Sequence, residues 1–155
     1  MATTKTSTIL VLLLSIPGLI SAELVAHYDF AGGAQDVSTN NLHGDLQGGA
    51  GIALDPVRGA VLHLNGSGDY VNLGNSPLLN MTETITVAAW VNIESIPTSW
   101  TGIVTKGDTS WRLSTLFNQP RFHFVVTSGP GQAAIVNGET QVAFGEWHHV
   151  CGTYD

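Results

Sequence analysis

The stretch Gly145-Glu146-Trp147-His148-His149-Val150-Cys151-Gly152-Thr153-Tyr154-Asp155 decides the fold class. Large side chains alternate along it and lead into an Asp-ended turn, which is the pattern of a strand in a packed sheet. The strand's two faces and its closing turn predict more sheet beyond Asp155. Cys151 is the only cysteine, so the chain has no internal disulfide. It alternates with Trp147, His149 and Thr153, which predicts a small buried hydrophobe on one strand face. His148 and His149 point to opposite faces and cannot share one metal.

Upstream, the same period of two recurs. Ile85–Ile93 is the strongest strand: Ile85, Val87, Ala89, Val91 and Ile93 share one face, and Thr86, Ala88, Trp90 and Asn92 the other. Both faces are mostly apolar or small, which predicts a central strand. Glu23–Phe30, Leu42–Leu46, Ala60–Leu64, Tyr70–Leu73, Gly102–Lys106, Trp111–Phe117, Arg121–Val126 and Ala133–Val136 complete the set. Gln47–Gly59 reads as a glycine-rich loop. Asn65-Gly66-Ser67-Gly68-Asp69 reads as a hairpin-type turn and Asn118-Gln119-Pro120 as another. The spacing is that of an antiparallel sandwich. Trp90, Trp111 and Trp147 are expected in the core.

The 155 residues suit one domain, and 18 glycines with only 11% charged residues suit a turn-rich globular chain. The formal charge of −7 and the lack of a basic patch argue against nucleic acid as partner. Residues 1–22 have the layout of a secretion signal: Lys5, an apolar run from Ile9 to Ile16, then Pro17-Gly18 and a small residue, Ala22. The run is too short and interrupted for a membrane span. Residues 23–155 are then the secreted domain.

Four stretches in order resemble the laminin-G-like family. They are Leu24-Val25-Ala26-His27-Tyr28-Asp29-Phe30; Asp36-Val37-Ser38-Thr39-Asn40-Asn41-Leu42-His43-Gly44; Leu64-Asn65-Gly66-Ser67-Gly68-Asp69-Tyr70-Val71 with Ile85-Thr86-Val87-Ala88-Ala89-Trp90-Val91; and the Gly145–Asp155 strand. The resemblance implies an all-β, antiparallel jelly-roll β-sandwich of concanavalin A type. It also implies further strands after the Thr-Tyr-Asp turn, so the domain is expected to be incomplete at its C-terminus. In many relatives it implies a calcium ion at the rim, held by the first polar loop and the closing segment.

The loop offers Asp36, Ser38, Asn40 and Asn41, all oxygen donors of the type calcium takes. The alternative is an Asx-rich turn that caps its own backbone. Asp69 is expected to cap a turn. Trp100 lies in a loop, where it either stacks on a sugar or partner, or anchors the loop to the sandwich. Asn65-Gly66-Ser67 and Asn80-Met81-Thr82 are glycosylation patterns at Asn65 and Asn80 if the source is eukaryotic. The six histidines form no close-spaced zinc motif. A retaining glycosidase needs two carboxylates about 5–5.5 Å apart. No Asp or Glu lies two residues from another, so enzymatic activity is not expected. The reading is a secreted, non-catalytic recognition module for a carbohydrate or an extracellular surface, with possible calcium dependence. A protein-binding adhesive module and a glycan-active enzyme of the same fold are the alternatives.

Overall fold

The computed structural model describes residues 23–81, 83–95 and 100–155. Among them are ten strands: β1 Asp45–Gln47, β2 Gly51–Asp55, β3 Gly59–His63, β4 Tyr70–Asn72, β5 Ile85–Asn92, β6 Gly102–Thr105, β7 Trp111–Thr115, β8 Phe122–Gly129, β9 Gln132–Asn137 and β10 Trp147–Tyr154. One turn of 3-10 helix, Pro77–Leu79, precedes β5. All strand pairs are antiparallel. Strands β6, β7, β8 and β9 form a meander in sequence order, and β5 pairs with β10. The short pairs β1–β4 and β2–β3 form separate two-stranded sheets.

The core lies between the meander and the β5–β10 ribbon. Ile85, Val87 and Val150 from the ribbon meet Trp111, Leu113, Phe124 and Val126 from β7 and β8. The period of two in each strand puts these residues on one face. Removing each from water contributes about 1.5–3 kcal/mol, an upper bound set by an extended unfolded chain. The buried Trp111 indole donates to Leu79 O at 3.1 Å, so its polar edge has a partner. Past β10, Val136 of β9 is exposed, and an open cleft of about 380 Å3 runs between β8, β9 and β10.

The ribbon turns the opposite face of β10 inward from the one expected. Cys151 is exposed, and Trp90 is 50% exposed. The outer face carries the cross-strand partners Thr86–Thr153, Ala88–Cys151, Trp90–His149 and Asn92–Trp147. The physical reason is space: Gly152 sits directly beneath the Phe124 ring, where a large residue could not fit. Because β5 is apolar on both faces, its own pattern did not choose between them. Strand β5 also has one hydrogen-bonded neighbour among the described residues, not two. Of the tryptophans expected in the core, Trp111 is buried there at 6% exposure.

Three other expectations change. Glu23–Phe30 is not a strand: one isolated bridge joins Tyr28 to Asp36. Its backbone groups are taken by side chains of the following loop instead of a ladder. Strand β2 lies in the stretch read as a glycine loop and pairs with β3, Gly51 opposite His63. Strand β4 pairs with β1, so Asn65–Asp69 does not close a hairpin between β3 and β4. Asp69 does cap that turn, accepting from Gly49 N at 2.6 Å and Asn65 N at 2.9 Å. The signal segment 1–22 lies outside the described residues. No helix among the described residues is long and apolar enough to cross a membrane.

Candidate functional site

The Asp36 loop is built around one buried carboxylate. Asp36 is 3% exposed. Its Oδ1 accepts from His27 N and Ser38 N, both at 2.9 Å, and its Oδ2 from Ser38 Oγ and Leu42 N, both at 2.8 Å. Burial alone would raise this carboxyl, but the three backbone N–H groups and the hydroxyl outweigh it and hold it well below the ordinary carboxylate range. Asn40 Nδ2 donates to Val25 O at 2.9 Å, and Asn41 Nδ2 to Thr39 O at 3.1 Å. Tyr28 Oη donates to Leu42 O at 2.5 Å. Burial first, and then the Asp36 charge, push the Tyr28 phenol up to about 12.

This arrangement does not fit a calcium shell. Calcium takes about six to eight oxygens whose lone pairs face the ion. All four accepting positions of Asp36 already face N–H or O–H donors, and Ser38 Oγ accepts from Asn40 N, so of the expected set only the Asn40 and Asn41 amide oxygens remain. The structure brings Asp36, Ser38 and Asn40 together as the framework of the loop. They tie it to Leu24, Val25 and His27 of the N-terminal segment. The described residues hold no group of three His, Cys, Asp or Glu placed for a metal ion.

Trp100 occupies a different environment. It is 45% exposed, with its ring 4.8 Å from that of His123 and 6.2 Å from that of Phe117. The Arg112 guanidinium carbon is 5.6 Å from the indole centre, within cation–π range. Beside the indole is an open depression of about 670 Å3, lined also by Gly102, Thr105, Asp108, Arg112 and Ser114. Arg112 forms an ion pair with Asp108 at its rim.

Ser114 brings a polar row of the meander to the edge of this depression. Ser114 of β7 is opposite His123 of β8, which is opposite Asn137 of β9. These three lie on the face turned away from the core. His123 Nδ1 is 2.8 Å from Asn137 Oδ1. Ser114 is 1% and His123 4% exposed. Ser114 Oγ, His123 Nε2, Arg112 Nε and Thr101 Oγ1 are buried without a hydrogen-bond partner among the described residues. Such atoms are rare, and each costs about 1–3 kcal/mol when left unpaired.

The sequence singled out Trp100 but not Arg112, Ser114, His123 or Asn137. A signal existed: polar residues alternate with Trp111, Leu113, Phe122 and Phe124 in strands otherwise built for a core. The two glycosylation asparagines are both exposed, Asn65 in its turn and Asn80 after the 3-10 turn. Thr82 of the second pattern lies outside the described residues.

An antiparallel β-sandwich with an aromatic, polar-floored depression on one sheet defines the class of protein. The family model for the Concanavalin A-like lectin/glucanases superfamily, of laminin-G type, matches residues 65–155. That is more than half of the chain, which therefore belongs to this family. No curated protein and no solved structure matches the chain.

Proposed function

We propose that this protein is a secreted, non-catalytic recognition module that binds carbohydrate, with Trp100 as its stacking platform. The observation that carries the reading is a half-exposed indole beside an open depression lined by the buried Ser114 and the Arg112–Asp108 ion pair. A sugar presents both an apolar face for stacking and hydroxyls for hydrogen bonding. Membership of a superfamily named for lectins and glucanases supports the ligand class. Binding without chemistry follows from the sequence, in which no Asp or Glu lies two residues from another. Secretion rests on the leader-like layout of residues 1–22.

The test is a glycan array probed with the full chain and with Trp100→Ala. The expected result is binding to a restricted set of glycans that the substitution removes. A blank array with a folded protein would discard the carbohydrate reading in favour of a protein ligand.

A further inference from the structure

Strand β9 is the end strand of the meander, with β8 as its one hydrogen-bonded neighbour among the described residues. Every residue of Gln132–Asn137 is exposed, Ile135 at 58% and Val136 at 61%. Proteins normally blunt such an edge with a charge, a proline or a bulge. The opposite edge, β6, has two of these: its register shifts between Gly102 and Val104, and Lys106 follows it. Strand β9 has none. Gln132-Ala133-Ala134-Ile135-Val136-Asn137 is uncharged and free of proline and glycine. Its pairing with β8 runs without a shift from Asn137 to Ala133. In a chain of net charge −7, this neutral edge is a place where a second copy meets no like charge.

The backbone of β9 is also complementary to itself. Gly138 N donates to Phe122 O of β8 at 2.8 Å. Alternation in an antiparallel ladder then turns the peptide groups of Ala134 and Val136 to β8, and those of Ala133, Ile135 and Asn137 to the open edge. A two-fold axis normal to the sheet beside Ile135 satisfies all three. Ile135 exchanges two hydrogen bonds with Ile135 of a second copy, and Ala133 exchanges two with Asn137 on either side of the axis. On the face turned away from the core, Ile135 meets its counterpart. On the other face Val136 meets Ala134, a large residue against a small one. We propose that β9 is the interface through which two copies of this chain join, antiparallel and in this register, making one sheet of the two meanders. The contact is small, so the dimer is reversible and concentration-dependent. The Trp100 ring lies against His123, on the same face as Ile135, so the axis leaves the depressions of both copies on one side. This proposal stands apart from the carbohydrate reading.

The test is sedimentation velocity of the full chain, with Cys151→Ser as the background because that thiol is exposed. The average mass should rise from one chain towards two over about a hundredfold range of concentration. Ile135→Lys sets two like charges across the axis and should hold the protein at one copy throughout. Ile135→Pro removes a donor that faces away from β8, and should do the same with the β8 ladder intact. Thermal melts establish that each variant is folded, so a single misfolded variant does not decide the matter. Oxidation reads the register. Ile135→Cys brings two thiols together on Cα atoms about 5.5 Å apart and should give a disulfide-linked dimer. Ala133→Cys leaves them about 14 Å apart and should not. A mass of one chain at every concentration would overturn the proposal. So would a dimer that Ile135→Lys and Ile135→Pro leave intact, growth beyond two copies, or crosslinking through Ala133→Cys as readily as through Ile135→Cys.

Discussion

Gly152 lies against the ring of Phe124 so closely that a Cβ at that position would come within 2.4 Å of the Phe124 Cγ. This contact joins the β5–β10 ribbon to the meander across the core. Gly152→Ala therefore forces the ring or the strand to move and should cost about 1–3 kcal/mol, as overpacked cores do. Gly51→Ala, where a Cβ meets nothing within 4 Å, should change stability by no more than about 0.5 kcal/mol. Urea denaturation of both variants checks the contrast.

Asp36 satisfies four donors, three of them backbone N–H groups: His27 of the N-terminal segment, and Ser38 and Leu42 of its own loop. Asp36→Ala leaves those donors without their acceptor and should destabilise by about 3 kcal/mol or more. The carboxyl is held below its ordinary value in the folded chain. Its contribution is thus complete above the unfolded value of about 4 and is lost as pH falls towards the folded one. Urea midpoints measured between pH 7 and pH 2 should fall more steeply for the parent chain than for Asp36→Ala. Equal slopes would show that another group governs acid unfolding.

Tyr28 gives the opposite pH limb. Its phenol is pushed up from about 10 to about 12 in the folded chain. Its contribution is present below about pH 10 and fades as pH rises towards 12. Tyr28→Phe should flatten the alkaline part of the stability profile, and ultraviolet titration near 295 nm should show one tyrosine ionising late.

Calcium should leave the melting temperature unchanged, because every accepting position of the Asp36 carboxylate already holds a hydrogen bond. A native-state ligand raises stability in proportion to its occupancy. Scans with excess calcium and with chelator should coincide. A rise in melting temperature with calcium would mean that the loop reorganises around the ion or that other oxygens bind it.

Arg58, at the tip of the β2–β3 hairpin, places its guanidinium carbon 3.3 Å from the centre of the Trp90 ring and 5.7 Å from that of Trp147. Arg58→Ala should cost about 0.5–1 kcal/mol, the range for an exposed cation–π pair. It should also shift tryptophan emission, whereas Arg58→Lys should retain part of both effects.

The antiparallel sandwich and strand β10 were legible from the alternation within Gly145–Asp155. The inward face of that strand was not. A period of two defines two faces but not which one meets the core, and only the contact of Gly152 with Phe124 decides. Strand β2 was hidden by the glycines around it, although Ile52 and Leu54 alternate. Glu23–Phe30 has the pattern of a strand, yet Asp36, Ser38 and Asn40 draw its backbone groups into side-chain hydrogen bonds. For the site, Trp100 was legible as a loop aromatic. Its companions were not, because Ser114, His123 and Asn137 are far apart in sequence and meet only through the register of three strands.

The pairing of β5 with β10 carries a consequence for the order of assembly. The meander strands are neighbours in sequence and close by short turns, so their contacts form with little loss of chain freedom. Ile85 must instead find Tyr154 across the entire meander. As the chain leaves the ribosome, Ile85 and Val87 are made long before the strand that pairs with theirs. Until β10 arrives they hold one side of an uncovered core, and the nascent chain is most vulnerable to association in that interval.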